Sequence, residues 1–272
     1  MKNKNVMRAT LALNLMRNII GIKFIDFKED FDIIDVALPQ KKGPLCYHAR
    51  QAMDGNLFKA TEDYVTCDYA RYAIGLSKPD NTIVEGRSYK YCGLYESNSI
   101  SKNIVTSMKY INQDIYGMVM GPLNLMDDAD VVIIADYAET VMRIMQGYAY
   151  KFGNPEQLSF FGNQAMCADL ISKPFSNNDI NISLMCKGTR ANGQFDKGEI
   201  GVAVPIGMFD SLVDGIVNTV NPVTYANEKR QILSKLDCED DLGIKIDVDY
   251  NYGLGLKAYD SKVQKFKNLN NI

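Results

Sequence analysis

The sequence predicts an α+β fold: a single domain of two similar α/β halves with mixed sheets. Three observations carry this. Short stretches that alternate apolar and polar residues, such as GIKFIDF (21–27), stand among segments with apolar residues three and four apart, such as ETVMRIMQGYAYKFG (139–153). Some strand-like stretches follow each other directly, YGMVMGPL and DVVIIADY above all, which argues for α+β rather than a doubly wound sheet. Finally, Cys46 and Cys67 lie 21 residues apart, Cys167 and Cys186 lie 19 apart, and a strand and then an amphipathic helix follow each pair.

Taken in order, Leu11, Leu13, Met16, Ile19 and Ile20 suggest an amphipathic first helix, and GIKFIDF a strand after it. The turn KKGP leads into Cys46 and a short helix ending near Gly55. LFKATEDY reads as extended, and Cys67 opens the helical run DYARYAIGL. SYKYCGLY (88–95) alternates like a strand. A helix that Ser97 can cap follows, with Ile100, Ile104, Met108 and Ile111 on one face. In the second half YGMVMGPL and DVVIIADY are strands, and the helix after them buries Val141, Ile144, Met145 and Tyr148. LSFFGN leads to Cys167 and a short helix, NISLMC is a strand ending at Cys186, IGVAVPIG is a strand, and MFDSLVDGIVNTV is a helix. This places a main domain over 1–222, with halves 1–113 and 114–222. A C-terminal helix/strand extension over 223–272 holds Cys238 in LDCEDD.

The chain has 272 residues, 46% hydrophobic and 23% charged, with a net charge of −3 and no basic block. Binding to nucleic acid through phosphate neutralisation therefore has no support. The apolar runs are too short to span a bilayer. Arg8, Asn14 and Arg17 interrupt the N-terminal apolar stretch, so it reads as a helix rather than a secretory signal. The expected compartment is the cytoplasm, where six cysteines are thiols or metal ligands rather than disulfides. The oligomeric state is open, a homodimer among the options.

The motifs PLCYHA, TCDYARYAIGL, MGPL, VMRIMQGYAY, AMCADL, LMCKGTRA and GVAVPIG fall in an order that resembles domain-of-unknown-function family 169, a prokaryotic group prominent in archaea and anaerobic bacteria. The resemblance covers roughly residues 20–220. It implies motif cysteines at Cys46, Cys67, Cys167 and Cys186, the four that the pairing also selects, and a common lysine at Lys23. Cys92 and Cys238 have no counterpart. Asp68-Tyr69-Ala70 stands where the family commonly has glycines, and Asp136-Tyr137-Ala138 where it often has Gly-Asn-Pro. The family brings no reaction with it.

Four thiols gathered from two halves suit an iron–sulfur cluster of the 4Fe–4S type, which takes one thiolate per iron. Such a protein serves electron transfer, redox sensing or cofactor maturation, with a redox or assembly protein as partner. Helix starts after Cys46, Cys67 and Cys167 favour thiolate. Arg190 is positioned to neutralise the site and Lys23 to contact an anion or cofactor. Against this, no tight C-x₂-C spacing occurs, which counts further against zinc. The alternatives are zinc, no cofactor at all in a non-catalytic small-molecule-binding or assembly protein with structural cysteines, or a thiolate nucleophile. His48, the one histidine, reads as a partly exposed helix residue, Asp169 as a helix cap and Glu199 as a turn carboxylate.

Overall fold

The computed structural model describes residues 2–219. The extension 223–272, with Cys238, lies outside the described residues. Six strands form one sheet: β1 (Ile20–Ile25), β2 (Phe58–Thr61), β3 (Gly117–Pro122), β4 (Val131–Tyr137), β5 (Asn181–Ser183) and β6 (Glu199–Pro205), in the order β2-β3-β1-β4-β6-β5. All six residues of β3 and six of the seven in β4 are buried, which is why these strands read as nearly unbroken apolar runs. Each fully buried Ile or Val here contributes about 1.5–3 kcal/mol of transfer free energy.

The α+β class holds, but the sheet is antiparallel throughout rather than mixed. The reason lies in the connectivity. β1 and β2 run parallel to each other, yet β3 returns between them and pairs antiparallel with both, from Ile20↔Pro122 to Ile25↔Gly117 and from Phe58↔Met120 to Thr61↔Gly117. β6 does the same between β4 and β5. The two halves of the sheet, β2-β3-β1 and β4-β6-β5, thus have the same strand order read from opposite edges. Their junction is the antiparallel pair β1–β4, with Ile20 opposite Ile133 and Ile22 opposite Val131. An antiparallel central pair is what a two-fold relation between the halves demands.

The helices keep the same rhythm. In the first half β1 is followed by the helices Lys28–Ile33 and Leu45–Met53, β2, the helix Asp68–Ala73 and, after further short helices, β3. In the second, β4 is followed by the helix Ala138–Phe152, a π-helix Ala165–Ser172 that runs into the short helix Lys173–Asn177, β5, the helix Lys187–Gly193 and β6. The repeat turns over after β3, in the stretch 123–130. By strand order β3 groups with β1 and β2.

Two other local expectations are corrected. The first helix, Lys2–Leu13, stops at Asn14, whose φ of 51° is left-handed, so Ile20 opens β1 instead of continuing the helix. SYKYCGLY is no strand. Gly86, at φ 69°, turns the chain into the short helix Arg87–Tyr91, with Tyr89 buried and Tyr91 90% exposed. Residues two apart share a face in a strand but not in a helix, so the two tyrosines, which alternate with polar residues in the sequence, end on opposite sides. The expected cap by Ser97 is present: its hydroxyl accepts the Ile100 N–H at 3.2 Å, although Ile100 itself is exposed and Ser101 and Val105 are the buried residues.

The described residues group into two compact units. One comprises residues 2–15, 142–154 and 210–219. Within it, Arg8 pairs with Asp214 at 2.6 Å, and Asn5 donates to Asp210 at 2.7 Å. The other, 16–141 and 155–209, contains the whole sheet and all four motif cysteines.

Candidate functional site

Four separate segments bring Cys46, Cys67, Cys167 and Cys186 to one cavity of about 170 Å³, whose other walls include Leu45, Tyr69, Tyr89, Gln164, Met166 and Thr189. Cys46 is the second residue of the helix Leu45–Met53, which Pro44 starts in extended conformation, and its thiol points to the Gly188 carbonyl at 3.7 Å. Cys67 occupies the N-cap of the helix Asp68–Ala73, where the Tyr69 and Ala70 N–H groups face its sulfur. Cys186 caps the helix Lys187–Gly193, and its sulfur accepts the Thr189 N–H at 3.3 Å. Cys167 sits inside the π-helix, all eight of whose residues are buried, with its thiol directed at the Gln164 carbonyl at 3.6 Å. π-turns are rare and concentrate at functional sites.

The segments meet crosswise. The Cys46 helix of the first half lies against the Cys186 helix of the second. Gly193 makes this approach possible, since a β-carbon there would stand 2.9 Å from the Cys46 carbonyl oxygen. Arg50 seals the contact by donating to the carbonyls of Gly193 at 3.2 Å and Gln194 at 2.9 Å. The π-helix of Cys167 packs in turn on the Cys67 helix, and Ser172 Oγ donates to the Ala73 carbonyl at 2.5 Å. Under the two-fold relation these are the same contact made twice.

Burial dominates the electrostatics. It pushes the Cys46 thiol up to about 11, raises Cys67, and raises Cys167 well above the usual thiol range. Each pair among the four cysteines also interacts, so a charge on one sulfur opposes ionisation of the others. Without a cation the three are neutral thiols and poor nucleophiles at neutral pH. Among the described residues no three His, Cys, Asp or Glu side chains stand close enough to hold a metal ion.

A tyrosine wall closes one side. Tyr69 stacks on Tyr89 with centroids 4.8 Å apart, and the Gln164 amide contacts the hydroxyls of both Tyr89 and Tyr110. Gln164 itself is held at a left-handed φ of 47°, and its Oε1 is buried without a partner. None of these residues stood out in the sequence. A left-handed glutamine and a π-helix have no local signature; of the tyrosines, Tyr89 falls in the stretch that reads as a strand and Tyr69 in a helical run.

The two cations expected at the site are engaged elsewhere. Lys23 pairs with Asp128 at 2.8 Å and Asp130 at 2.9 Å and does not line the cavity. Arg190 lies on the Cys186 helix but turns away from the sulfur, donating to the carbonyls of Leu184 at 2.7 Å, Glu199 at 3.0 Å and Asp196. Neither lines the cavity. Cys92 is exposed and apart from the cavity.

His48 is not partly exposed. It is fully buried, two residues from Cys46 and so on the other side of the helix, where its Nε2 donates to the Tyr64 carbonyl at 2.9 Å. Burial lowers its pKa, with the facing Tyr64 and Gly43 carbonyls offsetting this in part. Asp169 caps nothing. It is a buried carboxylate that accepts the Ser183 hydroxyl at 2.7 Å. Glu199 is likewise no turn residue but a fully buried carboxylate bonded to Arg17 at 2.8 Å.

A family model described as Uncharacterised ArCR matches residues 10–215. The chain belongs to this family, domain-of-unknown-function family 169. An uncharacterised protein of Methanocaldococcus jannaschii is 23% identical over 215 residues, which cover 78% of this chain and 92% of that protein. No solved structure matches. The match to the family spans all six strands and all four motif cysteines. Among the described residues, no helix is long and apolar enough to cross a membrane.

Proposed function

We propose that this family 169 protein holds a 4Fe–4S cluster on Cys46, Cys67, Cys167 and Cys186 and serves electron transfer, redox sensing or cofactor maturation. The observation that carries the reading is the sharing of one cavity by four cysteines drawn from four segments. N–H groups aimed at the sulfurs of Cys67 and Cys186 add to it, because such donors stabilise thiolate and tune cluster potential. Among the described residues no three His, Cys, Asp or Glu side chains stand close enough for a single metal ion, which weighs against zinc. A single zinc ion draws four sulfurs around one centre, whereas a cubane gives each thiolate its own iron and keeps the sulfurs further apart. Iron would supply the positive charge that the buried thiols lack and displace their protons on binding. In this reading the partner is a redox or assembly protein and the compartment the reducing cytoplasm.

The test is anaerobic purification with iron and acid-labile sulfide analysis. The expected result is a brown protein with about four of each per chain; a colourless protein with neither overturns the proposal. Cys46→Ser and Cys186→Ser should lose the colour, and Cys92→Ser should keep it. One observation favours a second reading, a small-molecule-binding protein with structural cysteines: burial leaves the thiols of Cys46 and Cys167 protonated. Under that reading the protein is colourless and the serine variants stay folded.

A further inference from the structure

We infer that His48 and Asp169 are equivalent positioning residues, each fixing the second cysteine of its half relative to the first. The inference deepens the thiol site proposed above and rests on the four cysteines forming one site. It does not depend on which ligand fills that site.

The two halves make the same link with different chemistry. His48 stands two residues after Cys46, and its Nε2 donates at 2.9 Å to the carbonyl of Tyr64, three residues before Cys67. Asp169 stands two residues after Cys167, and its Oδ2 accepts at 2.7 Å from the hydroxyl of Ser183, three residues before Cys186. Each polar group is almost entirely out of solvent, His48 at 0% and Asp169 at 4% exposure. Burying an imidazole or a carboxyl is costly unless its hydrogen bond is made. An apolar residue would fill either place without that cost, so packing alone does not account for the pair.

Both clamps reach the cysteine through the backbone. In the first half the Tyr64 carbonyl also accepts the Gly43 N–H at 3.0 Å, and the Gly43 carbonyl accepts Thr66 N–H at 3.0 Å, the residue directly before Cys67. The approach to Cys67 is thereby tied to the start of the Cys46 helix. In the second half Ser183 Oγ accepts the Met185 N–H at 3.3 Å, and Met185, directly before Cys186, takes a left-handed φ of 64°. Asn181 adds a second tie from β5, donating to the Asp169 carbonyl at 2.9 Å. Releasing the clamp would free the turn that aims the second sulfur of that half, and only of that half.

Half-specificity makes the test. Metal-free, reduced protein is treated with iodoacetamide and the rate at each cysteine is followed by mass spectrometry. His48→Phe, which fills the space but cannot donate, should speed alkylation of Cys67 about ten-fold and leave Cys186 unchanged. Asp169→Ala and Ser183→Ala should speed Cys186 by a similar factor and leave Cys67 unchanged. His48→Gln and Asp169→Asn, which preserve the donor and the acceptor, should restore wild-type rates. Folded variants that alkylate at the wild-type rate overturn the inference. So does a parallel rise at Cys67 and Cys186 in either half's variant, which would mark general loosening. Should Asp169→Ala fail to fold, Ser183→Ala, which removes one oxygen, decides the second half. Iron content of the wild type is read separately, so loss of the cluster reading and loss of this one are distinct outcomes.

Discussion

Asp169→Asn should flatten the pH dependence of stability in the metal-free protein. Burial raises this carboxyl from 3.8 to about 7, against the opposing effects of the Ser183 hydrogen bond and the Lys173 charge. The folded protein therefore keeps a proton there that the unfolded chain releases near pH 4. Because the folded state binds more protons, the stabilisation is fully present below the unfolded pKa and is lost as pH rises through the folded one. From pH 5 to pH 8 the loss from this group alone is about 2–3 kcal/mol. Asparagine keeps an acceptor for Ser183 and does not titrate, so its variant lacks this component. Urea unfolding of both proteins at pH 5, 6, 7 and 8 measures the effect, other groups cancelling in the difference. Wild-type stability relative to the variant should fall by that amount across the series. Parallel curves would refute the reasoning, since they would mean that Asp169 is charged in the fold at pH 5.

Two further perturbations probe the frame around the thiols. Gly193→Ala puts a methyl 2.4 Å from the Phe195 ring and 2.9 Å from the Cys46 carbonyl, pressing the Cys186 helix away from the Cys46 helix. It should cost about 1–3 kcal/mol in urea unfolding and lower iron retention if a cluster is present. Arg17→Ala leaves Glu199 buried at 0% exposure with only the Asp196 N–H, at 2.6 Å, on its other oxygen. The expected destabilisation is about 3–5 kcal/mol, read as a lowered urea midpoint; a loss under 1 kcal/mol would show that water reaches Glu199.

The sequence revealed the parts of the site that depend on residue type and missed those that depend on backbone path. Cysteine is rare enough in this chain for two pairs at similar separations to stand out, and the cavity is lined by those same four. β1, β3, β4 and β6 were legible because a buried strand needs an apolar run of the right length. The misses share a cause. Whether β3 inserts between β1 and β2 is decided by long-range pairing, so the antiparallel sheet does not show in a local window. Lys23 is singled out by the family resemblance and an apolar strand, and Arg190 by its place after Cys186; neither signal carries the path of the neighbouring chain. Their partners, Asp128 and Asp130 for one and the carbonyls of Leu184, Asp196 and Glu199 for the other, are set by the path of loops and of a strand end that no spacing encodes. His48 was judged by the ordinary exposure of a helix histidine, and the covering segment, Tyr64 and Phe58, comes from the next strand and turn.

The two-fold relation gives these particulars a common reason. If Cys46 corresponds to Cys167 and Cys67 to Cys186, the packing of the Cys46 helix on the Cys186 helix must recur between the Cys167 and Cys67 segments, and it does. The clamp from the residue two past one cysteine to the residue three before the next must recur as well. It does so through a histidine and a backbone carbonyl in one half, and through an aspartate and a serine in the other. A link that survives a complete change of donor and acceptor is one the fold requires at that place. Each half alone offers two sulfurs and three strands. The β1–β4 junction and the crosswise helix contacts bring the two pairs to one cavity, so a ligand held by all four would bind the halves together. Chelation or removal of that ligand should accordingly lower stability as a whole rather than loosen one segment.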